Sequence, residues 1–168
     1  MNTQHKPTYI SLFSSAGVGC YGFKMAGFDC IATNELLERR LNIQRYNQKC
    51  KYPGGYICGD ITQEQTKKLL YDQLEFWKAK EHLSRVDVVI ATPPCQGMSI
   101  ANQKKTDTEI VRNSLVVESI KIIQKINPRF FVFENVPAFM KTICTDLDGT
   151  NKSIADAIER NLGQEYSY

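Results

Sequence analysis

The 168-residue sequence predicts an α/β fold built on an open, doubly wound, mostly parallel sheet. Three observations predict it. Short apolar runs alternate with longer amphipathic stretches, the pattern of parallel strands joined by right-handed helical crossovers. The clearest run, Val86–Ala91, is apolar at nearly every position, as a strand covered by helices on both faces must be. A glycine-rich turn, Gly17-Val18-Gly19-Cys20-Tyr21-Gly22, follows the first run, where such sheets place their ligand loops.

The elements follow in order. Tyr9–Phe13 reads as the first strand, and a short helix runs from about Cys20 to Ala26. Cys30–Thr33 is the second strand, Leu37–Cys50 a charged helix, and Tyr56–Cys58 a short third strand. Thr62 opens a long helix, with its own hydroxyl as cap and Gln65 three residues on. Val86–Ala91 is the fourth strand, stopped by Pro93-Pro94. The polar loop at 96–107 is long for a connection, a sign of function or mobility. Glu109–Ile126 carries apolar residues at helical spacing, Phe130–Phe133 is the fifth strand, and Lys152–Leu162 the last helix. No internal repeat or low-complexity segment interrupts a single domain over 1–168.

Composition narrows the class. With 42% hydrophobic and 23% charged residues, the chain is an ordinary soluble globular protein. No apolar run approaches the length of a membrane span, and the first ten residues lack a signal peptide's charged and apolar regions. A cytoplasmic protein without a membrane partner is expected. A net charge of +3 permits a nucleic-acid partner without arguing for one. The six cysteines form no CxxC pair, so no metal site is expected and free thiols are.

A turn without side chains lets backbone approach a ligand. A carboxylate at the end of the second strand, Glu35, can accept hydrogen bonds from two ribose hydroxyls. The same residues also fit a tight turn beside a solvated acid. Ser14-Ser15-Ala16 intervene between strand and first glycine, which argues against a dinucleotide such as NAD. Asp60, just past the third strand, can accept from an adenine amine or simply face water in a strand-to-helix turn.

Thr92-Pro93-Pro94-Cys95-Gln96-Gly97 sits at the carboxyl end of the strongest strand, and Glu134 ends the neighbouring one. Prolines stiffen the loop that carries the thiol. The apolar strand before Glu134 is expected to shield its carboxyl from water. Read singly, Cys95 is a buried thiol and Glu134 a capping acid. Read together, they share one crevice at the carboxyl edge of the sheet.

Four segments carry a resemblance. Residues 11–28 (SLFSSAGVGCYGFKMAGF), 93–99 (PPCQGMS) and 131–137 (FVFENVP) are similar in order and spacing to motifs of DNA cytosine-5 methyltransferases, and Arg112-Asn113-Ser114-Leu115 fits between the last two. The resemblance covers nearly the whole chain from Tyr9 on. It implies a Rossmann-like methyltransferase fold, incomplete at its C-terminal strands, and S-adenosylmethionine as cofactor. By resemblance, Phe13 packs on the adenine with Leu36 and Ile61. Glu35 holds the ribose, Asn34 beside it is also cofactor-binding, and Asp60 lies at the adenine amine. The backbone of Ser14, Ala16, Gly17, Val18 and Gly19 lines the methionine part, and Pro93 and Leu115 close the pocket. Cys95 is then the nucleophile toward carbon 6 of a cytosine flipped out of double-stranded DNA, Glu134 the hydrogen-bond donor to ring nitrogen 3, and Asn135 the residue that orients that site.

Family members usually carry an acid where Ser11 stands and glycines where Ser15 and Val18 stand, and Val18 is expected to be the more awkward change. The family also continues into a target-recognition region absent here. The expectation is a catalytic portion, inactive alone, that needs a second chain or a missing C-terminal region. The alternative is a degenerate methyltransferase-like binding or regulatory module.

Overall fold

The computed structural model describes residues 6–94 and 107–167. The chain divides into two compact units, Met1–Ala91 with Asn127–Val132, and Thr92–Ile126 with Phe133–Tyr168.

The first unit holds a five-stranded sheet in the order β3-β2-β1-β4-β5. Its strands are β1 (Thr8–Leu12), β2 (Asp29–Glu35), β3 (Tyr56–Cys58), β4 (Val88–Ala91) and β5 (Phe130–Phe133), the last residue of which passes into the second unit. β1 pairs in parallel with both β2 and β4, and β2 with β3. The strand order reverses between β1 and β4, which is where α/β sheets open a crevice at their carboxyl ends. β1 is buried along its whole length, so its two faces need cover and its sequence is not alternating.

Helices α1 (Tyr21–Met25), α2 (Glu38–Tyr46) and α3 (Glu64–Glu81) form the crossovers of this unit. In α3 the buried Thr66, Leu70, Gln73, Leu74 and Trp77 recur every three or four residues, one face of a helix. That face lies against β2 and β3. α1 is anchored by Phe23, whose ring stacks on Tyr9 at 5.0 Å and meets Phe28 edge-on at 5.2 Å. At the amino ends of the strands, Asp87 Oδ2 accepts from Thr8 N at 2.8 Å and Thr8 Oγ1 at 3.1 Å, and Asp87 Oδ1 stands 3.5 Å from Arg129 Nε.

The second unit contains α4 (Asp107–Ile126), an antiparallel hairpin of β6 (Ile143–Thr145) and β7 (Asn151–Ser153), and α5 (Ile154–Leu162). α4 packs on β6 and α5, and Val116, Ile120, Ile123, Cys144 and Ile158 of these elements are buried. The buried Asp146 is held by Lys152 Nζ at 2.8 Å and Asn161 Nδ2 at 2.8 Å. Burial raises its carboxyl, and these donors outweigh that and hold it below the usual range.

The mostly parallel sheet with helical crossovers agrees with the expected class. Two local expectations need correction, and one element is additional. Thr62 does not cap α3; its hydroxyl donates to Asp60 Oδ1 at 2.8 Å, and the cap position falls to Gln63 with no side-chain bond. The last helix starts at Ile154, not Lys152, because Ser153 is its cap and accepts from Asp156 N at 3.0 Å. The hairpin of β6 and β7 was not foreseen; its turn carries Gly149 at φ 77.

Candidate active site

The chain leaves β1 in a tight curl. Phe13 stands at φ 55, Ser15 at φ 49 and Gly17 at φ 86, so left-handed residues alternate with ordinary ones before a 3-10 turn over Val18–Cys20. Residues with a Cβ disfavour that region, so the curl needs outside support. β2 supplies it. Ser14 N and Ser14 Oγ both reach Asn34 O at 3.0 Å, and Ser15 N donates to Glu35 Oε2 at 2.8 Å. Gly17 N closes the turn on Ser14 O at 2.8 Å.

This geometry reverses the expectation for the two unusual loop residues. Val18 is exposed within the 3-10 turn and has no left-handed backbone, so its branched side chain does not strain the turn. Ser15 is the strained position, where a glycine would sit freely. Ser11, at the other site expected to be acidic, is buried with its hydroxyl 3.0 Å from Cys20 Sγ.

Glu35 ends β2 and is buried. Its Oε1 accepts from Leu37 N at 3.1 Å and from Arg40 Nη1 at 3.3 Å. Asn34 Nδ2 donates to Ile57 O at 3.3 Å and Gly59 O at 3.0 Å, which draws the end of β3 alongside. Gly59 N returns a bond to Glu35 O at 3.1 Å. The loop, Asn34, Glu35 and the Gly59-Asp60 turn therefore meet at the carboxyl ends of β1, β2 and β3. Leu36 is exposed, Ile61 buried, and Phe13 half-buried around them. Asp60 is exposed, with Oδ1 accepting Thr62 N at 2.9 Å.

A cavity of about 330 Å³ opens between the loop and the end of α2, lined among others by Tyr9, Ala16, Gly17, Val18, Gln44 and Lys49. It takes in three of the expected loop residues. Phe13, Glu35, Leu36, Asp60 and Ile61 do not line it. Burial pushes the Tyr9 hydroxyl and the nearby Cys50 thiol up from their ordinary values.

In the second unit, Asn135 Nδ2 donates to Pro93 O at 2.7 Å, joining the loop that follows β4 to the residues that follow β5. Pro93 is buried and Leu115 half-buried on α4. Cys95 lies outside the described residues, as do the side chains of Arg112, Asn113 and Ser114. Glu134 is exposed, a correction to the expected apolar shelter. The reason is visible on β5: Phe130 is 65% and Val132 39% exposed, and among the described residues no strand lies beyond it.

Sequence reasoning missed Gln44. Its side chain is buried in a helix otherwise full of charge, and it contacts Thr33, Ser14 and Ser15. The available signal was Leu41, three residues earlier, which puts Gln44 on the inward face.

Residues 8–159 fit the family model of the C-5 cytosine-specific DNA methylase. Type II methyltransferase M1.HgaI of Avibacterium volantium is 34% identical over 161 residues, covering 94% of this chain and 42% of that protein. Type II methyltransferase M.NmeDI of Neisseria meningitidis serogroup C is 35% identical over 168 residues, covering 95% of this chain and 37% of its own length. The crystal structure of an E. coli prophage-encoded protein assigned as a DNA modification methyltransferase shares the fold, with TM-score 0.65 at 23% identity, over 96% of this chain and 39% of that one. The chain thus spans about two fifths of the relatives it matches. With the family model matched over residues 8–159, from the start of β1 into α5, the chain belongs to the C-5 cytosine-specific DNA methylase family.

Proposed function

We propose that this chain is the cofactor-binding and nucleophile-bearing portion of a DNA cytosine-5 methyltransferase, with S-adenosylmethionine as methyl donor. The observation that carries the reading is the Asn135–Pro93 bond, which ties the Cys95-bearing loop to the residue after Glu134.

The residues present fit the cofactor. A carboxylate offers about four acceptor positions, and Glu35 uses three of them. Arg40 is 44% exposed and its bond is long, so it can yield to ribose hydroxyls without unpairing the backbone donors. Phe13 and Leu36 offer apolar surface for the adenine, with the buried Ile61 as support behind them, and Asp60 offers an acceptor for its amine. The backbone of Ser14, Ala16, Gly17, Val18 and Gly19 lines the place of the methionine part. When bound, S-adenosylmethionine supplies an electrophilic methyl group on a sulfonium.

The chain's residues make the base reactive. Carbon 5 of cytosine is a poor nucleophile. The Cys95 thiolate adds to carbon 6 and leaves carbon 5 with enamine character. Glu134, in its acid form, donates to ring nitrogen 3 as charge builds there. Asn135 orients the strand end that carries Glu134. The base reaches these groups only after leaving the duplex. Because Glu134 is exposed in this chain alone, its shelter comes from the flipped base and from protein beyond this chain. A target-recognition region, supplied in continuation or by a second chain, completes the enzyme, and this portion alone binds the cofactor weakly and does not methylate DNA.

The test has two arms. Calorimetry of this chain with S-adenosylmethionine and NAD side by side should give heat with the former only. Joined to a target-recognition region, the chain should trap an oligonucleotide carrying 5-fluorocytosine as an adduct that survives denaturation and is lost in Cys95→Ser. Cofactor binding without any adduct would favour a binding module instead.

A further inference from the structure

Gln44 is 1% exposed, and both ends of its amide are engaged. Thr33 Oγ1 donates to Gln44 Oε1 at 2.8 Å, while Gln44 Nε2 donates to Ser14 Oγ at 2.8 Å and to Ser15 O at 2.6 Å. Lys49 Nζ fixes the anchor from behind by donating to Thr33 Oγ1 at 2.9 Å. One side chain on α2 therefore links the middle of the loop to β2. It does so at Ser15, a non-glycine residue at φ 49. Its Cγ is also the atom that a Cβ on Gly17 would meet at 3.0 Å, so it forms the wall against which the curl is pressed.

We propose that Gln44 is a positioning residue for cofactor binding: its amide holds loop 13–17 in the left-handed curl that receives the cofactor. It does for Ser15 what glycine achieves by backbone freedom alone. The inference rests on the reading that this loop binds S-adenosylmethionine. The remaining ties of the loop, Ser14 to Asn34 O and Ser15 N to Glu35, act on its amides and on the Ser14 hydroxyl. Among the described contacts, Gln44 is the side chain that fixes the Ser15 carbonyl and so the orientation of the next peptide.

The experiment compares wild-type chain, Gln44→Met and the double variant Gln44→Met with Ser15→Gly. Methionine keeps length and apolar bulk and removes both donors. Gln44→Met removes three buried hydrogen bonds, two of them to the loop; amide hydrogen exchange at Ser15 and Gly17 should accelerate by at least about tenfold, the equivalent of one such bond, and cofactor affinity by calorimetry should fall by a similar factor. Exchange at Ile10 and Ile31 in the sheet should not change. Adding Ser15→Gly should restore both loop protection and affinity. Unchanged loop exchange, a general acceleration that includes the sheet, or no rescue by Ser15→Gly would each overturn the proposal. Should Gln44→Met not fold, Gln44→Glu, which keeps the acceptor for Thr33 and loses the donors, must show the same loop-confined pattern. Absence of cofactor heat from the wild type, with the exchange pattern and its rescue intact, would refute the cofactor reading and leave the hold on the loop standing.

Discussion

Glu35→Gln isolates the tie between β2 and the loop. The carboxylate accepts Ser15 N at 2.8 Å and Leu37 N at 3.1 Å from opposite oxygens, with its side chain 5% exposed. Glutamine has the same shape but one oxygen, so its NH₂ must face one of the two backbone donors. Losing one bond to a buried charged acceptor costs about 1.5–3 kcal/mol. The Arg40 pair, half in water, adds at most about 1 kcal/mol. A loss of about 1.5–4 kcal/mol is therefore expected, which lowers Tm by about 3–16 °C for a chain of this size. Urea unfolding followed by circular dichroism should show a lower midpoint at unchanged slope. Arg40→Ala should move it by less than about 1 kcal/mol. A Glu35→Gln protein within about 0.5 kcal/mol of wild type would show that the loop is held by other means, and the account of the curl would fail.

Ser153→Ala should cost about 1 kcal/mol by thermal unfolding, because Ser153 Oγ is the acceptor for Asp156 N at the start of α5. Acidification should loosen the β6–β7 hairpin. Asp146 is held below its ordinary value of 3.8, so its contribution is complete above about pH 4 and disappears as the pH falls through the depressed value. Asp146→Asn should flatten the acid limb of the stability–pH curve, and an unchanged limb would place the titrating group elsewhere. Alkylation read by peptide mass should label Cys58, which is exposed, before Cys144, whose buried thiol is pushed up to about 11 by desolvation and by Asp146. Labelling of Cys144 at the rate of Cys58 in the native state would contradict its burial.

The strands and crossovers were legible because burial on both faces leaves long apolar runs such as Val86–Ala91, and helices show their period. The end of β2 at Asn34 and Glu35 was legible as the strand end that meets the glycine-rich loop. The site was not legible where tertiary contacts decide. Val18 and Ser15 look alike as missing glycines, and only φ separates them. Thr62 and Gln65 carry a capping pattern, but Asp60 competes for the hydroxyl with a two-residue turn. The β6–β7 hairpin is three residues per strand and mostly polar, too short for alternation to register. Glu134 looked sheltered because Phe130–Phe133 is apolar, yet an edge strand exposes what a central strand buries.

The central place of β1 bears on how the protein is made. Thr8 finds its partner Asp87 only 79 residues later. At roughly 5–20 residues per second, a ribosome needs about 4–16 s to deliver that partner. Through that interval the newborn β1 can pair with β2, but its other flank stays open. The flank of β1 that β4 covers therefore stays unpaired in the nascent chain until β4 clears the exit tunnel.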